Sequence, residues 1–190
     1  MSIKKGKVIV IVAPSGTGKT TLINIIKKNF TYIQESVSYT TRHMRPGDED
    51  GKQYFFITPE KFEEMIKAEE FLEWATVHKN YYGTSKKFIY DKIMLGQHVL
   101  CDLDVQGADS VKKNFGDDSE IIFISPPSLE ILRKRLEGRA TEPQEIIEIR
   151  LSNAKKEMLR KDDYDHLVIN DKLEIACEDL KSVIKSIVEG

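Results

Sequence analysis

Val8-Ile9-Val10-Ile11-Val12-Ala13-Pro14-Ser15-Gly16-Thr17-Gly18-Lys19-Thr20-Thr21 is the stretch from which the rest of the chain can be read. Five consecutive β-branched residues suit a strand buried on both faces, since a half-exposed strand would alternate. A small-residue turn follows. Thr20 to Asn29 then carries Leu22, Ile25 and Ile26 on one helical stripe. The turn matches the phosphate-cradling pattern G-x-x-x-x-G-K-[ST] at every fixed position but the first, where Ala13 stands for Gly. Gly16 and Gly18 let backbone N–H groups curl around an anion, and the new helix offers its positive end. Lys19 is suited to the β- and γ-phosphates and the Thr20 hydroxyl to a magnesium ion. Ala13, Pro14, Ser15, Gly16, Thr17, Gly18, Lys19, Thr20 and Thr21 are thus the candidates for holding a nucleoside triphosphate. They say nothing of an acceptor.

Outward from this turn, strand-like runs alternate with helical patterns, which indicates an α/β fold with a mostly parallel sheet. Val99 to Leu103, Ile121 to Ile124 and His166 to Ile169 read as further strands. One late helix carries Ile146, Ile147, Leu151, Ala154 and Met158; another carries Leu173, Ala176, Leu180, Val183, Ile184 and Ile187. Asp102 and Asp104, projecting to one side if the strand continues through them, offer carboxylates facing the turn. Asp102 is the candidate second metal ligand beside Thr20. Residues 36–90 differ in character, being rich in Thr, Tyr, Arg and Gly. Short strands are expected at Tyr54 to Ile57 and Phe71 to Val77, with a helix opening at Thr58-Pro59 and burying Phe62, Met65 and Ile66. This is an inserted α+β lobe. The loop from Glu137 to Gln144 joins two helices and fits a mobile lid.

Bulk properties narrow the classes. The chain has 190 residues, enough for one domain, and a net charge of −2, so no overall basic charge draws it to nucleic acid or an acidic membrane. No apolar run is long enough to span a bilayer, and Val8 to Ala13 is too short for a signal peptide. Cys101 and Cys177 read as buried free thiols in a reducing cytoplasm. The four histidines show no ligand spacing.

Five further segments carry a family resemblance. They are Ser38-Tyr39-Thr40-Thr41-Arg42-His43-Met44-Arg45-Pro46-Gly47, Phe71-Leu72-Glu73-Trp74-Ala75, Asn80-Tyr81-Tyr82-Gly83-Thr84, Asp102-Leu103-Asp104-Val105-Gln106-Gly107 and Arg135-Leu136-Glu137-Gly138-Arg139. In this order and spacing, together with the turn, they resemble the guanylate kinases, which also accept Ala at the position of Ala13. The likeness runs from about Val8 to Asp171. It implies a three-layer P-loop fold with a core of about 1–35, 91–127 and 157–190, a GMP-binding lobe of about 36–90 and a helical lid of about 128–156.

It implies ATP-dependent, Mg²⁺-assisted phosphorylation of GMP, and of dGMP, within purine nucleotide metabolism, by a monomer or small homo-oligomer with no nucleic-acid or membrane partner. The implied roles agree with the chemistry. Arg42 and Arg45 would grip the GMP phosphate, as arginine offers permanent charge and paired donors, and Tyr54 and Tyr82 would add hydroxyls. Glu73 and Asp104 accept from guanine N1 and N2, while Ser38 and Thr84 donate to O6. Arg135, Arg139 and Arg150 resemble lid arginines that neutralise the transferring group, with Lys19 and Arg42 completing the catalytic set. Asn170 matches a position near the adenine pocket. Two rivals stay open on sequence: a same-fold kinase with another acceptor, and a non-catalytic peptide-binding module of this family.

Overall fold

A computed structural model describes residues 4–77, 79–138 and 143–190. Its main sheet has five strands: β1 (Val8–Val12), β2 (Gln34–Glu35), β7 (Val99–Asp102), β8 (Ser119–Ser125) and β9 (His166–Ile169). Their order is β2-β7-β1-β8-β9, and every pairing is parallel. β1 is central and wholly buried from Val8 to Val12. Its alternate residues feed two cores. Ile9 and Ile11 meet α1 (Lys19–Asn29) and α7 (Leu173–Glu189). Val8, Val10 and Val12 meet α3 (Lys86–Met94) and α4 (Val105–Phe115). Three layers result, and burial of each β1 side chain contributes about 1.5–3 kcal/mol relative to exposure.

The inserted segment builds its own mixed sheet from β3 (Tyr39–Thr40), β4 (Phe55–Phe56), β5 (Phe71–Val77) and β6 (Asn80–Ser85), in the order β4-β3-β6-β5. α2 (Pro59–Lys67) begins where expected: the Thr58 hydroxyl accepts the N–H of Lys61, and Pro59 occupies the first turn. Phe62 and Met65 are buried against Phe71, with Ile66 partly buried at the edge. Phe62, Phe71 and Trp74 crowd Gly83, where an added Cβ would lie 2.9 Å from both phenyl rings, so only glycine fits there. Over the P-loop end, α5 (Leu129–Glu137) and α6 (Gln144–Met158) share a small core of Leu132, Leu136, Ile147, Leu151 and Ala154.

Several expectations are corrected. Strand β7 stops at Asp102, so Asp102 and Asp104 do not share a strand face; Asp104 instead caps α4, accepting the Gly107 N–H at 2.8 Å. In α1 the buried stripe is Leu22, Ile23 and Ile26, with Ile25 only partly covered. Ile146 is 41% exposed because α6 buries one narrow stripe against α5. The loop expected to join them falls partly on 139–142, outside the described residues. Both cysteines are buried and free, and burial pushes the Cys101 thiol up to about 12.

Candidate active site

All four principal anchors lie at the carboxyl ends of the parallel strands: the turn after β1, Asp102 at the end of β7, the segment after it, and Asn170 after β9. Crevices at that edge of an open parallel sheet are where such folds bind ligands. Between Val12 and Lys19 the turn reverses, with Thr17 N–H donating to Pro14 O at 3.2 Å. Gly18 starts α1 with φ of +98°, a left-handed conformation that side chains resist. The helices α2 to α5 are each capped by a side chain, from Thr58, Ser85, Asp104 and Ser128. α1 has neither a side-chain cap nor an acidic residue in its first turn. Its first N–H groups therefore stay available for an anion.

A cavity of about 410 Å³ opens over this turn, lined by residues from Ala13 to Thr21 together with Asp104 and Glu157. The Lys19 ammonium crosses its floor, donating to Leu103 O at 3.1 Å and pairing with Asp102 at 2.5 Å. Thr20 is exposed at the mouth. The Asp102 side chain is 45% exposed. An exposed hydroxyl at Thr20 and a half-open carboxylate at Asp102, joined to the turn through Lys19, are groups that suit a Mg²⁺ ion, which takes one or two carboxylates plus water and phosphate oxygens.

Asn170, expected near an adenine pocket, follows β9 at the edge of the turn. Its side chain is turned inward, the residue only 5% exposed, and donates to Thr17 O at 2.7 Å. It braces the turn from beneath. Arg135 of α5 donates to the carbonyls of Asn170 and Asp171 at 2.8 and 2.9 Å. Arg150 of α6 donates to the Ser15 hydroxyl at 2.6 Å. Arg139 lies outside the described residues.

A second cavity, of about 540 Å³, is lined by Ser36, Ser38, Gln53, Tyr54, Thr84, Asp102 and Leu103 among others. Here Ser38, Thr84 and Glu73 form a row: the two hydroxyl oxygens are 3.4 Å apart and Thr84 donates to Glu73 at 2.6 Å. A bulge makes the row. Phe71 faces Ser85 while Glu73 faces Thr84, so an extra β5 residue re-aims the carboxylate. Burial pushes the Glu73 carboxyl above its ordinary range, the Thr84 hydroxyl opposes this, and nearby Asp104 adds to the rise. Asp104 thus neighbours Glu73 while lining the cavity over the turn.

Thr40 and Thr41 are explained by Arg42. The Thr40 hydroxyl donates to Tyr81 O at 2.9 Å and accepts the Arg42 N–H at 3.2 Å, and Thr41 accepts the Tyr81 N–H at 2.9 Å. These bonds lash the chain to β6 and aim Arg42 inward. Its guanidinium lies over Tyr54 and Phe56, 5.6 and 5.4 Å from the ring centres, and pairs with Asp48 at 2.9 Å. Tyr54 meets Tyr82 edge to face at 5.6 Å. The Arg45 side chain is exposed at the rim, and its backbone N–H donates to Asp48 at 2.8 Å. That N–H, and after it the Arg42 guanidinium, hold the Asp48 carboxyl below its ordinary range.

Two residues at the site were missed from sequence. Asp48 follows the Arg-Pro-Gly turn and orients Arg42. Glu157 lies on the Arg150 face of α6, about two helical turns further on, and lines the cavity over the turn.

Comparison with known proteins follows this geometry. The family model described as guanylate kinase matches residues 5–187. A guanylate kinase of Dechloromonas aromatica is 44% identical over 181 residues, covering 95% of this chain and 89% of that protein. One from Thermotoga maritima is 45% identical over 182 residues, covering 96% and 87%. The crystal structure of guanylate kinase from Anaplasma phagocytophilum superposes with a TM-score of 0.66 at 29% identity, covering 96% of this chain and 86% of that one.

Proposed function

The chain belongs to the guanylate kinase family, its relatives named above being guanylate kinases, ATP:GMP phosphotransferases, and we propose that it moves the γ-phosphoryl group of ATP onto GMP, and onto dGMP, by direct in-line transfer with Mg²⁺. One observation carries this reading. The segment Asp102-Leu103-Asp104 borders both cavities, and Lys19 of the phosphate turn bonds to its first two residues. Two nucleotide-sized spaces therefore share a wall, with the lysine that would neutralise the migrating group at the join.

Phosphoryl transfer asks mainly for alignment and charge neutralisation, so a phosphate oxygen of GMP needs no strong base to attack the γ-phosphorus. The α1 N-terminus and the Gly16 and Gly18 backbone would hold the β- and γ-phosphates. Thr20 and Asp102 would hold Mg²⁺, which supplies positive charge to the phosphate oxygens when bound. Arg42 would exchange its bond to Asp48 for the more highly charged GMP phosphate, with Tyr54, Tyr82 and Arg45 alongside. Glu73 accepts from guanine N1–H and N2–H, and those donors would free Thr84 to turn its one hydroxyl hydrogen from Glu73 to O6, beside Ser38. Adenine reverses the pattern at its 6-position and lacks the 2-amino group. A site of this kind rejects the unmatched base by as much as ~10⁴-fold. Arg150 and Arg135 ride on the helices above the turn, and closure would bring them onto the phosphates while excluding water. Two buried free thiols and the lack of a helix long and apolar enough to cross a membrane, among the described residues, suit a cytoplasmic enzyme.

A coupled assay of ADP release with ATP against GMP, dGMP, AMP, CMP and UMP tests the proposal. Release is expected with GMP and dGMP alone. Comparable turnover of AMP, or none of GMP, would overturn it.

A further inference from the structure

The lid helix α6 carries two opposite charges to the phosphate turn from one face. Arg150 donates to the Ser15 hydroxyl. About two turns on, Glu157 lines the same cavity, beside Lys19 and Asp104. Its position is tightly held. The Glu157 carbonyl accepts the Arg160 N–H at 3.0 Å, and the Arg160 guanidinium grips Asp109 of α4 through two bonds of 3.0 and 2.7 Å. Arg160 also bonds Asp163 at 3.2 Å and lies 5.5 Å from the centre of the Tyr164 ring. These contacts fix the end of α6, and with it the backbone from which the Glu157 side chain reaches the cavity.

An anion fixed in a triphosphate cavity has a physical consequence. It opposes a bare triphosphate, which brings only negative charge. It favours a triphosphate carrying a divalent cation, whose bound waters are strong donors to a carboxylate. We propose that Glu157 is a positioning residue that couples nucleotide binding to metal binding: its carboxylate accepts from the water shell of the cation entering with ATP and repels ATP that enters without one. This rests on the ATP-binding role assigned to the turn, and it adds a discrimination to which Thr20 and Asp102 need not contribute. It also gives α6 two tasks, Arg150 meeting the phosphates and Glu157 the hydrated ion.

The test is the affinity of the full chain for ATP, measured by titration calorimetry in the absence of GMP, once with MgCl₂ and once with a chelator. Glu157→Gln keeps the shape and removes the charge. The ratio of chelator Kd to magnesium Kd is expected to fall by about tenfold, through tighter binding of bare ATP and weaker binding of Mg·ATP. Glu157→Asp retains charge on a shorter arm and should keep most of the ratio. A Gln variant whose two affinities stay unchanged, or shift by one common factor, overturns the inference. So does an Asp variant that loses the ratio as fully as Gln. The underlying reading is judged separately: a wild-type chain that makes no GDP from GMP defeats the kinase, whereas an active wild type with an unaltered ratio in Glu157→Gln defeats only this proposal.

Discussion

Asn170→Ala removes one donor from beneath the phosphate turn, and the structure permits its cost to be worked out. The Asn170 amide is buried and donates to Thr17 O at 2.7 Å. Alanine leaves that carbonyl without the donor in a place water does not reach, at a cost of about 1–3 kcal/mol. In a chain of this length 1 kcal/mol moves Tm by about 2–4 °C, so a drop of about 2–12 °C is expected. Because the bond holds the carbonyl immediately before Gly18, slackening should also raise KM for ATP while leaving KM for GMP nearly unchanged. Arg135 is a control built into the fold: it bonds the backbone of Asn170, which alanine keeps. The assays are thermal denaturation and steady-state kinetics with ATP and GTP as donors. A side chain that read adenine would give a different outcome, with unchanged stability and a selective loss of ATP relative to GTP. That result would refute the bracing role.

Glu73 has a carboxyl raised by burial, and guanine donors favour its ionised form. KM for GMP should therefore rise as pH falls through that raised value, with KM for ATP not following, and Glu73→Gln should abolish the step. The same shift acts on the empty protein with opposite sign. The folded state holds the proton more tightly than the unfolded chain, so ionised Glu73 costs stability above its folded pKa and nothing below the ordinary glutamate value. Glu73→Gln should thus raise stability at neutral pH; a loss there would contradict the burial argument. Lys19→Ala should lower kcat about a hundredfold or more while the circular dichroism spectrum is kept; near-wild-type turnover would defeat the mechanism. Thr17 is 1% exposed and its hydroxyl has no partner among the described residues. Thr17→Val, similar in shape, should stabilise by about 1 kcal/mol in denaturant, and destabilisation of that size would show that the hydroxyl is engaged.

What could be read in advance divides along physical lines. β1 was legible because all five of its residues are β-branched, β9 and β5 because apolar and β-branched residues dominate them around His166 and Glu73, and α2 because Thr58-Pro59 marks its start. In α4 the apolar residues Val105, Ala108, Val111 and Phe115 are helically spaced, but Gly107, Asp109 and Ser110 lower its helix propensity, and its formation rests on packing of that stripe on the main sheet. The strand reading of Asp104 followed from that. Of the residues that the motifs group, Ser38, Thr84 and Glu73 share a run of hydrogen bonds and Arg42 lies over Tyr54. Motif chemistry could not reveal that Asn170 faces inward, because an amide serves equally well under a turn or against a base. Glu157 was hidden for another reason. It precedes Met158, which reads as the last residue of an apolar stripe, so a neighbouring acid looks solvated. Only the fold brings the end of α6 against the turn.

The short run from Asp102 to Asp104 has a lasting consequence for how this chain can vary. It is a party wall between two tenants: the β7 end furnishes one room, the α4 cap furnishes the other, and a single leucine carbonyl receives the lysine between them. Inserting or deleting one residue there would move both rooms at once and unseat the cap. A change of length at this junction therefore disturbs both cavities together, whereas a change of one side chain there reaches only the cavity that side chain lines.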